Sequence, residues 1–278
     1  MSEVECLRNA CRATFRETPS GDILSLAGAR MKTPYIRIKN LHQSFGDREV
    51  LRGIDLDIYR GETLVILGAS GCGKSILAKH LPGLLRPLEG EIWVGDVDIT
   101  KLREREMGPI RHQIGMMFQG GALFDSFTVF ENVAFPLREE SDCKEDEIHR
   151  RVSEALEIVK LGAHADQFPS DISGGMRKRV ALARAVVDVP ACIIYDEPHA
   201  GLDPMTADTI DRLIKTLQSD HGITNIVITH EIRSVFRIAD RVVFMKLGKI
   251  YWVGSPMELQ ATKDPFLRDF IEGNAQED

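Results

Sequence analysis

Apolar and polar positions fall into a regular order from Tyr35 onward, with short apolar runs alternating with amphipathic stretches. TLVILG (63–68) is an apolar run ending in glycine, and CIIYDE (192–197) and NIVITH (225–230) are two more. Runs of this kind fill a sheet whose two faces are both covered. Residues 74–85 have helical character. KEDEIHRRVSEALEIVKLG sets Ile148, Val152, Leu156 and Val159 on one helical face, with Gly162 as the expected stop. The alternation predicts an α/β core with a helical insert across roughly 120–180. No internal repeat is visible.

Residues 1–34 differ in composition, with TPSGD and little periodicity, before MKTPYIRIKN supplies the first credible strand. They read as a flexible extension, or Met31 is the true start of translation. Residues 35–278 read as one domain.

Composition changes the picture mainly by exclusion. A formal net charge of -7 argues against nucleic acid as a partner. Arg177-Lys178-Arg179 reads as a solvated helix face. No stretch approaches the roughly 18 apolar residues of a membrane span, so any membrane role comes through a partner. Cys6, Cys11, Cys72, Cys143 and Cys192 are scattered without metal-ligand spacing, which suits free thiols in a reducing compartment and makes the cytoplasm the default location.

Three short motifs carry candidate chemistry. GASGCGKS, Gly68 to Ser75, matches G-x-x-x-x-G-K-[ST] between an apolar strand and a helix. Gly68, Ala69, Ser70, Gly71, Cys72, Gly73 and the following Ile76 frame a backbone cradle for phosphate. Lys74 brings a charge to the β- and γ-phosphates, and the Ser75 hydroxyl is a candidate Mg²⁺ ligand. CIIYDEP ends an apolar strand in Asp196, a candidate to hold magnesium through water, and Glu197, placed to polarise the attacking water. ISGGMRKRVALARA (172–185) opens a good helix with two glycines. Glycine costs about 1 kcal/mol in a helix relative to alanine, so the first turn is expected to approach something that a side chain would block.

A phosphate loop, then Ser-Gly-Gly at 173–175, then Asp-Glu at 196–197, resembles the order found in ABC-type ATPases, and the likeness runs from Tyr35 to about Gly273. The resemblance implies a P-loop NTPase (ABC ATPase) α/β core with an antiparallel β subdomain and an inserted helical subdomain. It also implies Mg-ATP hydrolysis. Ser173, Gly174 and Gly175 would face the γ-phosphate of ATP bound to a second copy. Gln119 would touch magnesium and sense a membrane permease, His230 would contact the γ-phosphate, Asp203 would couple the two ATP sites, and Phe45 would stack on adenine. One motif set in the chain implies a homodimer.

QGGALFDSFTVFENVAFPLRE, with Met176 in SGGMRKRVALARA, is similar to the ATPase subunits of Mla/Mce-type phospholipid transporters. That likeness implies a permease docking near 120–138, with Leu123, Phe124 and Phe127 as an apolar patch, and a lipid-binding Mce-type envelope protein as a further partner. The protein would then sit on the inner face of the cell membrane. A small-solute importer ATPase and a soluble, non-transport ABC ATPase are the competing readings. Ile76 and His199 depart from the family's usual threonines. The ending FIEGNAQED lacks the clasping tail of some relatives, so dimerisation is expected to depend on ATP or the permease.

Overall fold

A computed structural model describes residues 33–140 and 143–274. The flexible-extension and Met31 expectations concern residues that lie almost wholly outside this range. In chain order the strands are β1 (Pro34–Phe45), β2 (Arg48–Tyr59), β3 (Thr63–Gly68), β4 (Glu89–Val94), β5 (Val97–Asp98), β6 (Ile114–Met117), β7 (Cys192–Asp196), β8 (Thr224–Ile228), β9 (Arg241–Lys246) and β10 (Lys249–Gly254). The helices are α1 (Lys74–His80), α2 (Gly108–Gln113), α3 (Val129–Glu140), α4 (Glu145–Ile158), α5 (Gly174–Val186), α6 (Pro204–His221), α7 (Ile232–Ile238), α8 (Pro256–Gln260) and α9 (Pro265–Glu272).

Two sheets result. A four-stranded sheet runs β2-β1-β4-β5 with antiparallel pairing, and a six-stranded sheet runs β10-β9-β3-β8-β7-β6. Within the larger sheet, β9, β3, β8, β7 and β6 are parallel and β10 pairs antiparallel on the edge. The apolar runs behave as two-faced strands. Val65 and Leu67 of β3 pack with the helical side of the core, whereas Leu64 and Ile66 pack with the four-stranded sheet and α1. Parallel pairing brings the carboxyl ends of β3, β8 and β7 side by side, which is where open α/β sheets place their ligands.

The helical insert is α3, α4 and the first half of α5. Ile148, Val152, Leu156 and Val159 are all buried along its inner face, as the periodicity predicts. Its stop differs from expectation. Lys160 takes the left-handed conformation (φ 57°), Leu161 N–H donates to Leu156 O (2.8 Å) and Lys160 N–H to Glu157 O (3.0 Å). This is a Schellman ending with lysine in the place usually held by glycine. Gly162 follows this turn and opens the next short helical turn. The helix expected over 74–85 is also shorter: Leu81 is still helical, but Pro82 has no N–H with which to continue the hydrogen-bond ladder. Cys72, Cys143 and Cys192 are free thiols. Among the described residues no helix is long and apolar enough to cross a membrane.

Candidate active site

The turn after β3 can be made only by glycine at its two ends. Gly68 has φ 151°, and a Cβ on it would fall 2.3 Å from Met245 O. Gly73 has φ 107°, and a Cβ there would meet Leu51 Cδ2 at 2.8 Å. Between them the loop curls over Lys74, whose buried Nζ donates to Gly68 O (2.8 Å) and Ala69 O (3.0 Å). Burial pushes the Cys72 thiol up, with the Lys74 charge opposing, so this cysteine is held as an uncharged packing group. Ile76 packs into the apolar cluster beside the smaller sheet.

Ser75 Oγ donates to Asp196 Oδ1 across 2.8 Å, joining the phosphate loop to the end of β7. Burial pushes the Asp196 carboxyl up; the Ser75 hydrogen bond opposes this, and the neighbouring Glu197 charge adds to it. A hydroxyl and a buried carboxylate in contact are hard oxygen donors, the set that Mg²⁺ takes alongside phosphate oxygens and water. The residues present therefore fit a divalent cation.

Glu197 adopts φ 50°, an uncommon conformation for a side-chain-bearing residue, with its N–H donating to Ile228 O (2.9 Å). Its Oε2 is buried and accepts no hydrogen bond, although His230 Nδ1 approaches it to 2.8 Å. Only the imidazole is open to solvent, its side chain being 69% exposed. Gln119 is exposed just beyond β6. Thus Lys74, Ser75, Asp196, Glu197 and His230 gather at the ends of three strands.

A second group of predicted residues lies on the surface. Ser173 caps α5, its Oγ accepting from Met176 N–H (3.2 Å). Gly174 is open, since a Cβ there would meet nothing nearer than Arg177 Nη2 at 3.7 Å. Gly175 is different: a Cβ there would sit 2.4 Å from Thr206 Cγ2 of the same chain. At Gly175 an internal contact thus calls for glycine in addition to the approach of a second copy expected there. Asp203 caps α6, accepting from Met205 N–H, Thr206 N–H and Thr206 Oγ1 (2.6 Å), and the Thr206 hydroxyl holds its carboxyl below its ordinary pKa. Phe45 is 48% exposed at the end of β1.

Three features were not read from the sequence. Lys178 is buried and not solvated, its Nζ donating to Gln119 O and Glu197 O (3.5 Å), so the charged triplet does not form one solvated face. Burial holds its amine below the usual range, with Glu197 and Asp196 opposing. The residue's position one turn into α5, on the side of the buried Ala181 and Leu182, was the available signal. Asn132 is buried, donating to Phe124 O, Phe127 O and Thr128 O and accepting from Phe124 N–H. It pins the 120–138 segment so that Phe124, Phe127 and Phe135 cluster, Phe124 remaining 41% exposed while Leu123 packs on the core. His199 is buried against Asp211 (Nε2 to Oδ1, 2.8 Å), with Ser234 donating to the other Asp211 oxygen (2.9 Å).

The family model for the ABC transporter matches residues 51–200. A probable ribonucleotide transport ATP-binding protein, mkl, of Mycobacterium leprae is 40% identical over 86% of this chain and 69% of its own length. The intermembrane phospholipid transport system ATP-binding protein MlaF of Haemophilus influenzae is 38% identical over 88% of this chain and 93% of its own. The methionine import ATP-binding protein MetN of Carboxydothermus hydrogenoformans is 42% identical over 77% of this chain and 64% of its own. The chain thus spans about two thirds of the length of two of these relatives. Among solved structures, a dimeric post-hydrolysis state of the ATP-binding cassette MJ0796 bound to ADP and Pi superposes with TM-score 0.74 at 31% identity, over 80% of this chain and 98% of that one.

Proposed function

Since the chain belongs to the ABC transporter ATP-binding family, we propose that it is the ATP-hydrolysing subunit of a phospholipid transporter, acting as a pair of copies with ATP between them. The observation that carries the hydrolytic assignment is Glu197, buried, held in a left-handed turn and with one carboxylate oxygen accepting no hydrogen bond beside the Ser75–Asp196 pair. That oxygen is available to a water approaching the γ-phosphate of the substrate ATP. His230 lies beside the same oxygen on the solvent side, its Nδ1 at 2.8 Å, where it would contact the γ-phosphate. Gly68 to Gly73 present backbone N–H groups to the phosphates, and Lys74 exchanges its loop carbonyls for phosphate oxygens. Ser75 and Asp196, with Gln119, would hold Mg²⁺, which when bound neutralises charge on the phosphates. Catalysis in such a site is positioning and charge stabilisation. Phe45 is assigned to the adenine, and Ser173, Gly174 and Gly175 to the partner copy's γ-phosphate.

Glu197→Gln should bind ATP normally, hydrolyse it roughly 10³-fold more slowly and accumulate as an ATP-dependent dimer by light scattering. A variant hydrolysing at the wild-type rate would remove Glu197 from the mechanism.

The lipid assignment is supported by the aromatic cluster of the 120–138 segment, whose exposed member is Phe124, read as a docking patch for a permease, and by the MlaF likeness over nearly the whole of that protein. The MetN likeness favours a second reading, a small-solute importer with the same ATPase chemistry. Purification of the tagged protein from its native membranes in mild detergent, with mass spectrometry of what accompanies it, separates the two. A permease with an Mce-type lipid-binding protein and phospholipid is expected. A solute-type permease would discard the lipid, and no membrane protein at all would point to a soluble switch.

A further inference from the structure

We propose that Lys178 is a positioning residue for hydrolysis, tying the main chain of Glu197 to the loop that carries Gln119. The proposal rests on the reading of Glu197 as the group that polarises water. Lysine is seldom buried without partners, because a desolvated ammonium is costly. Here only 7% of Lys178 is exposed. Its neighbours in the charged triplet turn elsewhere, Arg177 to Ile172 O (2.8 Å) and Arg179 to Val159 O (2.9 Å). Lys178 alone points into the domain.

Its two acceptors are placed by the sheet. β6 and β7 are adjacent parallel strands, with Met117 opposite Tyr195, so their chains emerge side by side. Gln119 follows the first and Glu197 follows the second. The Lys178 ammonium reaches the carbonyl of each from α5, bridging two loops that no strand pairing joins beyond that register. Glu197 O has one further donor, Ala200 N–H at 3.2 Å. The residue so held is the one in the left-handed conformation, which persists only where the surrounding structure over-determines it. The Lys178 ammonium lies 3.5 Å from its carbonyl, a long contact whose attraction comes chiefly from the charge.

The bridge has a mechanical meaning. α5 begins at Ser173 and Gly174, on the surface assigned to the second copy, and Lys178 lies about one turn further in. The Gln119 loop leads into the 120–138 segment assigned to the permease. A shift of either surface therefore reaches the Glu197 backbone through one side chain. The contacts of the Lys178 ammonium are to main-chain carbonyls, so its removal should act on turnover and not on binding.

The test uses the full chain and steady-state ATP hydrolysis. Lys178→Met, of similar length but without donors, should lower kcat about 10- to 100-fold, the penalty of a catalytic group displaced by a fraction of an ångström to an ångström, with KM for ATP within about twofold. Lys178→Gln, whose amide still donates, should recover most of that loss. Recovery by glutamine is what a merely space-filling role would not give. Wild-type kcat in Lys178→Met, or equal loss in the methionine and glutamine variants, would overturn the proposal. Glu197→Gln measured alongside keeps the two readings apart: if it hydrolyses at the wild-type rate the assignment of Glu197 fails, whatever Lys178 does.

Discussion

The strand-end half of the site and the half built on the starts of α5 and α6 are made in opposite ways. In the first, polar groups are tied within the chain: Lys74 to two loop carbonyls, Ser75 to Asp196, Lys178 to the Gln119 and Glu197 carbonyls. Buried groups of this kind need partners, and each exchange of a partner for a ligand atom is nearly even. In the second, Ser173 and Asp203 cap helices with their side chains exposed, and Gly174 borders open space. Such a surface does not complete a site in one copy of the chain. On the proposed reading the difference separates binding from turnover: the strand ends would hold the triphosphate, and the helix starts would act once a second copy covers them.

The comparison breaks most visibly at Gly174. Gly174→Asp places a carboxylate in the first turn of α5, where the helix dipole favours it, so thermal stability should hold or rise slightly. The same charge would meet the γ-phosphate assigned to the second copy. Hydrolysis should fall about 100-fold, some 2.7 kcal/mol in the barrier, while equilibrium binding of ATP to the monomer stays unchanged. If binding and turnover fell together, the exposed helix start would be part of the first half and the division would fail.

Much of this was legible because parallel strands buried on both faces have few sequence solutions. TLVILG and CIIYDE gave β3 and β7 almost to the residue, and the loops that follow them carry Lys74, Ser75, Asp196 and Glu197. Residues whose role lies in a tertiary contact were harder to see. Lys178 reads as one of three helix charges until β6 and β7 are known to be neighbours. Asn132 looks like a polar residue in an apolar helix until the chain from Phe124 folds back over it. Lys160 closes α4 without glycine because its neighbours' Schellman hydrogen bonds fix the left-handed turn. His199 departs from the family's threonine, and its partner Asp211 is on another element, α6.

Gly175 sharpens the comparison on the smallest scale, one residue from Gly174. Its missing side chain accommodates Thr206 Cγ2, and the Thr206 hydroxyl is held by Asp203 at 2.6 Å, so the methyl cannot rotate away without losing that bond. Gly175→Ala should therefore cost about 1–2 kcal/mol of folding stability, a typical overpacking penalty, read as a lower urea midpoint. Thr206→Ser removes the offending methyl and keeps the hydroxyl on Asp203. The double variant should recover at least half of the loss, a coupling that adjacent side chains show and distant ones do not. A Gly175→Ala protein of wild-type stability but slow turnover would mean the opposite: the space at Gly175 would then be reserved for the second copy, and the boundary between the two halves would move one residue along α5.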